Sequence, residues 1–178
     1  MNAIEWAALF GLETMTVPAK TQLVKEGSVA RKVYIIREGA LRIWLSKDGA
    51  EITSQFFFEG KLVASLESFL SGQPSEFCLE TIEACDLYVL DKMTFDELMR
   101  GDSEFRDWFQ QYILDRFLYY SKHVLSFLRD KPEERYLHLL QNNPELLKRV
   151  PQQYLATYIG ITPVSLSRIR NKVAKKKE

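Results

Sequence analysis

KVYIIREGALRIWLSKDGAE, residues 32–51, contains two alternating apolar runs with Gly39 between them and Asp48-Gly49 near the end. Alternation with period two is the mark of a strand with one buried face. The Asp-Gly pair supplies the positive φ that a tight hairpin turn requires. The same pattern extends outward. QLVKEG (22–27), EITSQFFFEG (51–60), FCLETI (77–82) and DLYVLD (86–91) are short β-rich runs separated by Gly, Asp-Gly or Gln-Pro punctuation. Short strands at regular spacing predict an antiparallel sandwich or jelly roll between about Met15 and Leu90. LVASLESFL (62–70) lacks strict alternation and predicts a short helix that interrupts the strands. NAIEWAALF (2–10) has the composition of an N-terminal helix.

After Gly101 neither Gly nor Pro occurs up to Leu128, and apolar or aromatic residues from Phe105 to Leu128 recur at helical spacing over a wide arc. An arc that wide exceeds the needs of a helix with one buried face. One side can pack on the roll while the other meets a second copy, so 102–128 is expected to be a dimerisation helix. The alternative is a helix buried within a monomer.

Pro132 can open a further helix, which ends at Asn142-Asn143-Pro144. In VPQQYLATYIGITPVSLSRIRNKVAKKKE (150–178), Pro151 opens a helix reaching Tyr158 or Ile159. Gly160 takes the positive φ of a tight turn, and Thr162 caps a second helix with Pro163 at its first position. Ala156, Gly160, Ile161, Leu166 and Ile169 fall where two crossing helices need a small residue, a turn glycine and three apolar contacts. That is a helix-turn-helix. Its outward positions are Ser165, Ser167, Arg168, Arg170, Asn171 and Lys172, followed by Lys175-Lys176-Lys177.

The charge is split along the chain. Lys+Arg and Asp+Glu both number 24, but residues 129–178 hold 11 basic against 5 acidic, and residues 1–128 hold 13 against 19. An acidic body with a basic tail points to a polyanion as the partner of the tail, with a solvated basic face as the alternative. The helix-turn-helix makes double-stranded DNA the expected polyanion. Docked in a major groove, the second helix brings Thr162, Pro163, Val164 and Ser165 closest to base edges. Ser167, Arg168, Arg170 and Lys172 then lie near bases or phosphates, and Gln152 and Gln153 can hydrogen-bond backbone phosphate.

On these residues the whole chain resembles the cyclic-AMP receptor and fumarate/nitrate regulator (Crp/Fnr) superfamily. YIIREGALRIW (34–44) and FFFEGKL (56–62) carry the likeness in the roll. YLATYIGITPVSLSRIR (154–170) is similar to the Bacteroidetes-type members. The resemblance implies an α+β chain in two parts: an antiparallel β-roll with its dimerisation helix over 1–128, and an all-α helix-turn-helix domain over 129–178. It also implies a homodimeric, cytoplasmic transcription regulator that binds a pseudo-palindromic operator, with RNA polymerase as a candidate further partner.

Departures from the family pattern are concentrated at the effector pocket. Gly60-Lys61-Leu62 stands for the family's Gly-Glu-Leu, whose carboxylate takes the ribose hydroxyl. In SGQPSEF (71–77), Ser75 and Glu76 stand where an Arg and a hydroxyl residue hold the cyclic phosphate. A bidentate guanidinium contact is thereby lost and a repelling carboxylate gained. Lys61 could replace part of the missing charge. Ordinary cyclic-AMP binding, a different small ligand and no ligand all stay open. In the DNA-binding part the strand hairpins flanking the two helices are missing or truncated. The Arg-Glu pair common at the start of the second helix is Pro163-Val164 here, while Arg168 matches a retained family arginine.

Other classes find little support. Cys78 and Cys85 lie in strand-like runs without metal or disulfide spacing, so packing is their expected role. An iron-sulfur cluster lacks its thiolates. The strands contain no histidine for a cupin metal site, and His123 and His138 lie in predicted helices. No metal, cofactor, catalytic group or membrane span is expected. The competing reading is a ligand-sensing or scaffold module of the same fold that does not bind DNA.

Overall fold

The computed structural model describes residues 1–175; Lys176 and Lys177, the last two lysines of the basic tail, lie outside them. Helix α1 (Ala3–Leu9) opens with a capping box in which Asn2 Oδ1 accepts from the Glu5 N–H and the Glu5 carboxylate accepts from the Asn2 N–H. Eight strands follow: β1 (Glu13–Val17), β2 (Gln22–Val24), β3 (Lys32–Glu38), β4 (Leu41–Lys47), β5 (Ala50–Phe57), β6 (Leu62–Val63), β7 (Cys78–Thr81) and β8 (Cys85–Asp91). They form two antiparallel four-stranded sheets, ordered β1-β8-β3-β6 and β2-β7-β4-β5, which is the roll expected from the sequence.

The opening stretch forms β3, a sharp crossing and the β4–β5 hairpin. Asp48 and Gly49 both have positive φ at the hairpin tip. Gly39, at φ +105°, is where the chain passes from one sheet to the other. A Cβ there would lie 2.5 Å from Cys85 Sγ and 2.7 Å from the Ala84 carbonyl oxygen, so the crossing admits only glycine without rearrangement. Alternate residues of the two sheets, among them Val33, Ile35, Leu41, Leu79 and Leu87, fill the space between them with Trp6, Phe95, Phe105 and Phe109. Both cysteines are buried and free, and burial pushes the Cys85 thiol up to about 11, which keeps it protonated and unreactive.

The stretch 62–70 divides differently from its expected single helix. Leu62–Val63 pairs with β3 as β6, and only α2 (Leu66–Ser71) is helical. Residues 62–63 gain ladder hydrogen bonds from β3 that local propensity does not report. After α3 (Lys92–Gly101), Asp102 caps the 27-residue helix α4 (Ser103–Arg129). The chain ends in α5 (Pro132–Asn142), α6 (Pro144–Arg149), α7 (Gln152–Tyr158) and α8 (Pro163–Lys175). Residues 144–149 form a helix with Pro144 at its first turn, and no strand follows α4 among the described residues. A second apolar core joins α5 to α8 and includes Phe56 from β5.

Candidate functional site

The pair α7–α8 is assembled from local signals. Pro151 precedes α7, the Ile161 N–H donates to the Ala156 carbonyl across the turn (2.9 Å), and Gly160 has φ +74°. Thr162 Oγ1 accepts from the Ser165 N–H (3.2 Å), so α8 begins with a side-chain cap and Pro163 at N1. Ala156 and Leu166 are fully buried at the helix crossing, and Ile161 and Ile169 pack beside them. The outer face of α8 presents Val164, Ser167, Arg168, Arg170 and Asn171, all exposed, with Ser165 half-buried. Arg168 and Arg170 have no hydrogen bond or ion pair among the described residues. Lys172 bridges to Glu133 of α5 (2.6 Å).

The first helix of the pair is docked on the roll. The Arg42 guanidinium, fully buried, bonds Glu80 (2.7 and 3.0 Å) and Glu51, and lies 3.6 Å from the centroid of the Tyr154 ring. The Thr53 N–H donates to Thr157 Oγ1 (3.1 Å), and Phe56 packs on Tyr158 at 4.9 Å. Arg149 reaches both oxygens of Glu59 (2.8 and 2.9 Å) and also bonds Glu83. These bonds hold the Glu59 carboxyl down to about 2 and push Arg149 up. Between the two parts a polar cleft of about 470 Å³ is lined by Glu51 and Glu80 of the roll and by Gln153 and Pro163. Gln152 is exposed at the start of α7. Thus eight of the ten candidate DNA contacts lie outside the cleft, while Gln153 and Pro163 border the roll.

A larger cavity, about 620 Å³, lies between the roll and α4. Its wall is mainly apolar, with Ile43, Phe57, Leu62, Phe77 and Ile113. Of the effector candidates, Leu62 and Glu76 line it; Gly60, Lys61 and Ser75 do not. Gly60 is a turn residue whose N–H donates to the Ile36 carbonyl, and Lys61 is exposed beside it. Ser75 is buried, its hydroxyl donating to the Phe77 carbonyl and lying 2.8 Å from Ser65 Oγ. The cavity's charged groups are Glu67, Glu76 and Arg116. Arg116 donates to Gln55 Oε1 and lies 4.4 Å from the centroid of the Phe57 ring. Tyr112 donates to the Leu62 carbonyl (2.6 Å), and burial pushes its phenol up to about 12.

Arg116, Gln55 and Tyr112 are among the polar cavity residues that reading the sequence missed. Only part of the signal lies in the sequence: Tyr112, Arg116 and Tyr120 are four residues apart on α4 and share one stripe of the helix. The opposite stripe, with Leu114, Phe117, Leu118, Leu125 and Leu128, is exposed. Among the described residues no three His, Cys, Asp or Glu side chains are arranged to hold a metal, and no helix is long and apolar enough to cross a membrane.

Residues 14–102, half of the chain, match the family described as the cyclic nucleotide-binding domain. No curated protein sequence matches the chain. Among solved structures, the global regulator CLP of Xanthomonas campestris is 20% identical with a TM-score of 0.76, covering 98% of this chain and 91% of that one. FixK2 of Bradyrhizobium japonicum is 17% identical with a TM-score of 0.79, covering 93% and 86%. A putative transcriptional regulator of the Crp/Fnr family from Eubacterium rectale is 16% identical with a TM-score of 0.73, covering 99% and 85%. The chain therefore belongs to the cyclic nucleotide-binding domain family, and its β-roll, long helix and terminal helix pair have the architecture of the Crp/Fnr regulators.

Proposed function

We propose that this protein is a homodimeric, non-enzymatic transcription regulator that binds double-stranded DNA through α8, with an effector cavity that does not take cyclic AMP in the usual way. The observation that carries the reading is the state of Arg168 and Arg170. Both are exposed on a helix that begins with a capped, proline-started turn, and neither has an intramolecular partner among the described residues. Cations that neutralise nothing within the fold suit phosphates or base edges. The remaining contacts come from Thr162, Val164, Ser165, Ser167 and Lys172, with Gln152 on phosphate.

The exposed apolar stripe of α4 supports a second copy as its cover, since 27 helical residues span about 40 Å of continuous contact. For the cavity, the supporting chemistry is its charge. Among the described residues Glu67 and Glu76 stand beside a single cation, Arg116, and the buried Ser75 hydroxyl is already engaged. A cyclic phosphate would meet two carboxylates there. Gel-shift assays on fragments selected from the source genome test the main reading. Specific retardation is expected, and Arg168→Ala should weaken it by about 1–3 kcal/mol; unchanged affinity would remove the basis for the assignment. Calorimetry with cyclic AMP should give no binding, and a micromolar constant would overturn the effector reading.

A further inference from the structure

A second cavity lies on the other flank of α4, where it meets α5 and the end of α7, outside the residues that match the cyclic nucleotide-binding domain. Its volume is about 420 Å³, within the range of pockets that hold small ligands. One wall is aromatic. The His123 ring stacks on Tyr158 with centroids 4.3 Å apart and planes 10° from parallel, and the Tyr119 and Tyr158 hydroxyls lie 3.1 Å apart.

The other wall is cationic. It presents Lys122 and Arg135, and no carboxylate of the described residues lines the cavity. Arg135 is buried, and its hydrogen bonds among the described residues go to carbonyls: Ile159 at 2.8 and 3.0 Å and Asp130 at 2.6 Å. The nearby Asp130 carboxylate is engaged by Arg129 at 2.6 Å. Three bonds use three of the five guanidinium N–H groups, leaving one on each terminal nitrogen. Lys122 is exposed and has no ion pair among the described residues. A buried guanidinium bonded only to neutral acceptors, next to an unpaired ammonium, creates a local positive potential that an anion relieves.

We propose that this cavity binds a small aromatic molecule carrying one anionic group, a carboxylate or a phosphate. Its ring lies against Tyr119, His123 and Tyr158, where offset stacking and edge contacts favour a flat partner. Its anionic group takes charge-assisted hydrogen bonds from Lys122 and Arg135. The first cavity, with Glu67 and Glu76 at its wall, has the opposite polarity and would reject the same ligand.

Calorimetric titration of the whole protein with benzoate, phenyl phosphate and the neutral benzyl alcohol tests this. At least one anion should bind saturably with a dissociation constant below about 1 mM, and benzyl alcohol at least about tenfold more weakly. The two anions distinguish a carboxylate ligand from a phosphate one. Lys122→Glu, at an exposed position, should weaken the bound anion at least about tenfold, while Lys148→Glu on α6 leaves it unchanged. The His123 ring-proton NMR signals should shift along the titration. The proposal is overturned if neither anion saturates, if benzyl alcohol binds equally well, if Lys122→Glu has no effect, or if the His123 signals stay fixed.

Discussion

Arg37 and Arg42 of the roll and the two arginines of α8 are used in opposite ways. Arg42 is buried against Glu80, Glu51 and the Tyr154 ring, and Arg37 is paired with Asp86 at 2.6 Å. On α8, Arg168 and Arg170 are exposed and have no partner among the described residues. Residue type alone therefore says little about role. A cation enclosed by carboxylates stabilises a fold, because removing it leaves a buried charge uncompensated. A solvated, unpaired cation contributes little to stability and remains available to an external anion.

Mutations that break this contrast should differ in kind as well as size. Arg42→Ala strands the buried Glu80 carboxylate and frees Tyr154, so chemical denaturation should show a loss of about 3–5 kcal/mol. A loss below about 1 kcal/mol would mean that the cluster is solvated and the contrast is wrong. Gly39→Ala comes next, at about 3 kcal/mol, because its Cβ meets a backbone carbonyl and a buried sulfur that cannot withdraw. Gly160→Ala should lose less, about 1–2 kcal/mol. Its Cβ meets the edge of the Phe127 ring at 2.8 Å, and that half-exposed ring can turn aside, leaving mainly the strain of positive φ. Equal losses at the two glycines would contradict this account of the crossing.

The bridge between the two parts should be sensitive to acid. Glu59 is held at about 2 from an ordinary value of 4.5, chiefly by its bonds to Arg149. A depressed folded value means that its contribution is full above about pH 4.5 and is lost as the pH falls toward 2. Glu59→Gln should flatten stability against pH across that window, as read by denaturation at several pH values. Arg168→Ala should have the smallest effect on stability, within about 0.5 kcal/mol, although it reports on DNA binding.

The roll was readable because its instructions are local. Gly39, the Asp48-Gly49 turn and the alternation on both sides act within a few residues of themselves, and Thr162 and Pro163 start α8 in the same way. The effector candidates were less readable. Ser75 and Gly60 were assigned by position in a pattern, whereas Ser75 is engaged within its own loop and Gly60 makes a turn. Arg116 lies far along the chain from Gln55 and Phe57, and no spacing rule predicts that approach.

The amino-acid sequence by itself determined most of the strands, the long helix, the helix pair and the polarity of acidic body and basic tail. Backbone preference, capping and apolar periodicity operate over one to a few turns. Only the tertiary structure decided that α7 rests on β5 through Thr53 and Thr157, 104 positions apart, and that α4 separates a cavity holding carboxylates from one that has none among the described residues. Ion pairing and cavity charge depend on distance through space, and packing sets that distance without regard to separation along the chain.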